Sequence, residues 1–98
     1  MPGIHNFDRM LRAIADPTRR RILSALKQRG ACSIGKVVGL CACDIEEHVR
    51  LTQPTISHHM SVLKQAGLVE AKKEGQWMWY RRNESAVREL ARNLRESL

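Results

Sequence analysis

The sequence predicts a mainly α fold with one small β-hairpin, in the order ααααββα. Three observations carry that expectation. Apolar residues recur at helical spacing over most of the chain, the period changes to two only between Leu68 and Tyr80, and cap and stop residues stand at the joins. The 98 residues are expected to form one domain with a modest core, and a domain that small often shares its core with a second copy.

Phe7, Met10, Leu11 and Ile14 fall at i, i+3, i+4 and i+7, which makes an amphipathic first helix over about 5–14. Asp16 caps a second helix whose first turn holds Pro17, where a missing N–H costs nothing. Ile22, Leu23 and Leu26 give it an apolar stripe. Arg19, Arg20 and Arg21 crowd its first half but point in three directions, so not all can touch one partner. Gly30 ends that helix, and Ala31–Leu40, with Gly35 and Gly39, reads as a loop. Asp44 with Glu47 three residues on resembles a capping box, so a short third helix is expected over about 45–50.

Thr52 caps a fourth helix, with Pro54 in its first turn, Ile56, Met60 and Leu63 as buried stripe, and Gly67 as stop. Leu68-Val69-Glu70-Ala71, the polar turn Lys72-Lys73-Glu74-Gly75 and Gln76-Trp77-Met78-Trp79-Tyr80 then read as a hairpin with Gly75 at its tip. Asn83 caps a last helix with Val87, Leu90, Leu94 and Leu98 at helical spacing. Two short helices joined by a tight turn over about 44–66 fit a helix-turn-helix, followed by a hairpin over about 68–81 and a helix over about 84–97.

Composition narrows the function. Lys and Arg total 17 against 10 for Asp and Glu, a formal charge of +7 that suits a polyanionic partner; the bland alternative is a merely soluble basic protein. No apolar run approaches the ~20 residues needed to span a bilayer, and Met1 to Arg12 lacks the apolar stretch of a signal peptide. A cytoplasmic protein with no membrane partner is expected. Paired carboxylates, a nucleophile with its base and a Gly-rich phosphate loop are all missing, so an enzyme is not expected.

In a helix-turn-helix the second helix enters the major groove with its N-terminal residues on base edges. Here Gln53, Thr55, Ser57, His58 and His59 face mostly outward if Ile56 and Met60 face inward. They are short or planar hydrogen-bonding groups of the kind that read bases and hold phosphates. No acidic residue occurs between Glu47 and Glu70, as a phosphate-facing surface requires, and Lys64 adds a cation. Paired His58 and His59 would otherwise suggest a metal site, but adjacent residues on a helix diverge. Lys72, Lys73 and Gln76 at the hairpin tip can reach a minor groove or phosphates; a charged solubilising turn is the plainer reading. Trp77, Met78, Trp79 and Tyr80 are expected in the core and interface, because stacking platforms for single strands lie along an open groove.

Several stretches together resemble the ArsR/SmtB family of bacterial metal- and metalloid-responsive repressors. They are Ala15-Asp16-Pro17-Thr18-Arg19-Arg20-Arg21-Ile22-Leu23, Leu40-Cys41-Ala42-Cys43-Asp44, Gln53-Pro54-Thr55-Ile56-Ser57-His58-His59 and Gln65-Ala66-Gly67-Leu68-Val69. The similarity runs from about Asp8 to Arg82. It implies a winged helix-turn-helix homodimer that binds an imperfect inverted repeat in double-stranded DNA and releases it when an inducer binds. It also implies dimerisation through the first and last helices, with Phe7, Leu11, Val87, Leu90 and Leu94 at the interface. The stripe over 87–98 points the same way, since so small a domain has little else to cover it.

Three cysteines, Cys32, Cys41 and Cys43, in a reducing compartment raise metal binding or thiol chemistry rather than structural disulfides. In an extended segment residues i and i+2 share a face, so Cys41 and Cys43 can reach one ion, and a helix N-terminus favours the thiolate. In the resembled family the Cys-x-Cys-Asp element is an inducer site, which implies Cys41 and Cys43 as ligands. Members that bind arsenite within this helix often carry a third Cys three residues after the second, where this chain has Glu46. Cys32 is then the candidate third thiol. Three thiolates suit As(III) or Sb(III), and a fourth ligand such as His5 would suit Cd(II), Pb(II) or Zn(II) better. The family's other zinc site needs His on the last helix, yet no His follows His59. Oxidation or sulfide sensing through a disulfide from Cys32, a small metal-trafficking protein, and cysteines that are merely buried all stay open as alternatives.

Overall fold

The computed structural model describes residues 2–29, 40–41, 50–75 and 77–98, with the backbone alone at 2–5, 28–29, 40–41, 53, 74 and 77. Among these residues the elements run α1 (Pro2–Ile14), α2 (Pro17–Arg29), β1 (Leu40–Cys41), α3 (Gln53–Gln65), β2 (Val69–Glu74), β3 (Trp77–Arg82) and α4 (Glu84–Ser97). Residues 45–49 of the expected short helix, Cys32, Cys43 and Gln76 lie outside the described residues, and Arg50, the helix's expected last residue, is in a turn.

The join between α1 and α2 forms as its residues dictate. The Asp16 carboxylate accepts from the amides of Thr18 at 2.7 Å and Arg19 at 3.2 Å, filling two of the donors a helix start leaves open. α3 closes in a Schellman pattern, with the Gly67 amide on the Lys64 carbonyl and the Leu68 amide on that of Leu63, both at 3.0 Å. Gly67 sits there at φ 80°, a conformation that glycine takes without a Cβ penalty. The Asn83 side chain accepts from Ala86 N at 3.1 Å and caps α4.

Thr52 occupies the N-cap position of α3 but makes no side-chain cap; its Oγ1 lies 3.0 Å from the Thr55 hydroxyl instead. The hairpin also differs from expectation. Lys72, Lys73 and Glu74 continue β2, and β3 runs on to Arg82. Glu74 pairs with Trp77, so the loop is only two residues, and Gly75 takes φ 60° at its first position. Two-residue hairpins favour such left-handed backbone because its twist matches the strands, and this draws the polar residues out of the turn and into the ladder.

One strand was not expected. Leu40 and Cys41 pair antiparallel with Tyr80 and Trp79, giving the sheet order β1-β3-β2. The core lies between the helices and this sheet, with Ile22, Leu26, Ile56, Met60, Leu63 and Leu68 fully buried. Each such side chain contributes ~1.5–3 kcal/mol over an exposed one. Trp79 is buried and Tyr80 half-buried, as core residues should be, while Met78 is exposed. The stripe on α4 is offset from the expected one: Ala86 and Leu90 are buried, Val87 and Leu94 are half-buried, and Leu98 is 97% exposed.

Candidate nucleic-acid interface

α3 has two faces of different chemistry. Ile56, Met60, Leu63 and Ala66 recur at helical spacing and bury one side almost completely. Thr55, Ser57, His58 and Lys64 are exposed on the other. The helix carries no acidic residue in its first turn and Lys64 in its last. Gln53 opens the helix, and Pro54 beside it needs no N–H partner. Lys72 and Lys73 are exposed on β2, close to the hairpin tip. On β3, Arg81 pairs with Glu70 across the strands at 2.8 Å, and Arg82 reaches Glu84 with two nitrogens. The hydrogen bond from Arg82 is the main reason the Glu84 carboxyl sits below its ordinary range.

His59 behaves unlike its neighbour. It is half-buried, and its Nδ1 lies 3.2 Å from a terminal nitrogen of Arg19 on α2. Burial pushes its pKa down, Asp16 pulls it up, and Arg19 and His58 push it down again, for a net value below the ordinary one. The two rings lie 5.7 Å apart and tilt by 56°, in keeping with side chains that diverge from adjacent positions. Arg19 itself was not singled out by the sequence, since its partner is 40 positions away and no local pattern marks the pair.

Arg50 also escaped the sequence reading. It lies in the turn before α3, is exposed, and adopts φ 57°. The other left-handed positions among the described residues, at 67 and 75, hold glycine.

The interface residues expected on α1 and α4 divide into two groups. Phe7, Leu11 and Val87 are half-buried against the core and Leu94 is half-buried, whereas Leu90 is already covered within one chain. Of the cysteines, the described backbone places Cys41 on β1, opposite Trp79. Among the described residues no three His, Cys, Asp or Glu converge as a metal site, and no helix is long and apolar enough to cross a membrane.

A helix seated by one apolar face, with a polar face outward and a basic hairpin after it, defines a winged helix-turn-helix transcriptional regulator. Known proteins agree. The model of bacterial regulatory proteins of the arsR family matches residues 39–71. An uncharacterized HTH-type transcriptional regulator of Methanocaldococcus jannaschii is 40% identical over 83% of this chain and 82% of its own length. The arsenical resistance operon repressor of Staphylococcus aureus is 38% identical over 87% of this chain and 73% of its own. In three dimensions the homodimeric winged helix-turn-helix DNA-binding domain from Mycobacterium bovis superposes with a TM-score of 0.74 at 26% identity, covering 96% of this chain and 80% of that one. The chain therefore belongs to the arsR family of bacterial regulatory proteins, and it is a regulator rather than an enzyme.

Proposed function

We propose that this chain is a cytoplasmic, homodimeric repressor that binds an inverted-repeat operator and releases it when As(III) or Sb(III) binds the thiolates of Cys32, Cys41 and Cys43. The polar face of α3 carries the DNA reading: Gln53, Thr55, Ser57 and His58 approach base edges, while Lys64, Lys72, Lys73 and Gln76 hold phosphates. The half-buried Phe7, Leu11, Val87 and Leu94 support a second copy against α1 and α4, in line with the homodimer from Mycobacterium bovis. The Staphylococcus aureus relative supports a metalloid inducer, and three thiolates match the soft, trigonal preference of such ions.

Release has two routes from Cys41. One runs forward along the chain toward α3. The other runs sideways through the ladder of β1 on β3, the return strand of the wing. Coupling of ~1–3 kcal/mol per dimer weakens binding enough to matter.

The test is fluorescence anisotropy of the reduced protein on its own promoter fragment, titrated with arsenite and then Cd(II), Pb(II) and Zn(II). Release near one arsenite per site, lost in each single Cys→Ser variant, is the expected result. Arsenite release that survives in the triple Ser variant would overturn the site. Tight binding that no metal disturbs would retain the repressor and replace the inducer with an oxidant or sulfide.

A further inference from the structure

Arg19 stands where three helices meet. Its Nε donates to the Ala13 carbonyl at 2.6 Å, one terminal nitrogen donates to the Arg12 carbonyl at 3.2 Å, and the other lies 3.2 Å from His59 Nδ1. That last nitrogen is also 3.9 Å from the Asp16 carboxylate, and the side chain is only 14% exposed. Arg12 and Ala13 belong to the last turn of α1, whose carbonyls have no partner within the helix. Arg20 covers the Ile14 carbonyl in the same way. Two carbonyls thus fix the plane of the Arg19 fork, and its other terminal nitrogen is directed at the middle of α3.

Guanidinium has no acceptor, so Nδ1 of His59 must supply the lone pair and the ring must be neutral with its proton on Nε2. Ile56, Met60 and Leu63 hold α3 down by apolar contact, whose driving force is itself non-directional. A directional bond from a rigid fork adds a constraint on the angle of α3. We propose that Arg19 is a positioning residue for DNA binding: anchored on the end of α1, it fixes the angle of α3 through neutral His59. This rests on the reading of α3 as the DNA-contacting helix, and it assigns His59 to the scaffold rather than to the DNA.

Protonation of His59 replaces the bond with two cations side by side. The charged groups acting on His59 are Arg19 from α2, Asp16 from the turn between α1 and α2, and His58 from its own helix, while α1 meets the cluster through its carbonyls. Desolvation pushes Asp16 up, but the amides of Arg19 and Thr18 and the Arg19 charge outweigh it, so Asp16 stays ionised while His59 titrates. The contact is therefore intact above the depressed pKa of His59 and is lost as pH falls through it.

The experiment compares the full-length wild type with His59→Asn, whose side-chain oxygen can accept from Arg19 but cannot titrate. Affinity for the promoter fragment and for unrelated DNA is measured at constant ionic strength near pH 7.5 and near pH 5.5. The wild type should lose about three- to tenfold in operator preference on acidification, and His59→Asn less than about twofold. His58 is common to both proteins, so its charge cancels in the comparison.

Arg19→Gln supplies a second readout. If Arg19 acts through His59, adding His59→Ala to it changes operator affinity by less than about twofold; fully additive losses would overturn the proposal. Should Arg19→Gln fail to fold, the pH comparison decides alone. Wild-type binding that tightens relative to His59→Asn at low pH would mean His59 touches phosphate directly, and parallel pH profiles would mean no coupling; either sinks the inference. A wild type without operator preference at pH 7.5 would instead sink the DNA-binding reading, and this inference with it.

Discussion

α3 and α4 are nearly the same length and both are amphipathic, yet one chain seats them very differently. α3 buries Ile56, Met60, Leu63 and Ala66 to within 2% of full coverage, under α1, α2 and the sheet. α4 buries Ala86 and Leu90 only, leaving Val87 and Leu94 half-covered and Leu98 in the open. α3 is thus a finished part of the monomer, while the last helix presents an apolar margin that a second copy would complete. Substitutions on α3's inner face should unfold the chain, and those on α4's margin should separate subunits first.

Leu63→Ala should break the α3 side of this contrast most severely. The residue is fully buried, and deleting its branched end should cost about 2–5 kcal/mol of unfolding free energy, read by urea denaturation. Leu94→Ala should act on association instead. The dimer dissociation constant should rise about tenfold, equivalent to ~1.4 kcal/mol, in sedimentation equilibrium with little change in helical circular dichroism. Equal loss of helicity in both variants would erase the distinction.

The caps sharpen the comparison from the other end. Asn83 bonds the first turn of α4 whereas Thr52 leaves that of α3 uncapped. Asn83→Ala should therefore cost about 1 kcal/mol, and Thr52→Ala no more than a few tenths. The smallest effect has the opposite sign. Arg50→Gly relieves a left-handed backbone and should raise stability by roughly 0.5–1 kcal/mol, seen as a higher Tm.

What the sequence made legible was local. Asp16-Pro17, Gly67 and Asn83 mark helix ends because their chemistry acts within four residues, and the structure uses all three as read. The polar run Lys72-Lys73-Glu74 misleads because exposed strand and turn share a composition; the two-residue loop, not the residue types, decides between them. β1 left no local trace, because two residues become a strand only through a partner nearly 40 positions on, at Trp79 and Tyr80. The Arg19–His59 contact is invisible for the same reason. Thr55, Ser57 and His58 were legible as outward because Ile56, Met60 and Leu63 fix the inner face, whereas His59, expected to face outward with them, is half-buried against Arg19.

Among the described residues, β3 has six register partners on β2 along one edge and two on β1 along the other. In amide-exchange terms the wing has a slow edge and a fast one, since a two-residue ladder opens at little cost while a six-residue ladder opens with the domain. A ligand that pins Cys41 would slow exchange along the fast edge without moving any mean position, tightening the wing by removing its freedom. Protection factors at Leu40, Cys41, Trp79 and Tyr80, with and without arsenite, would register that tightening even where two static structures superpose.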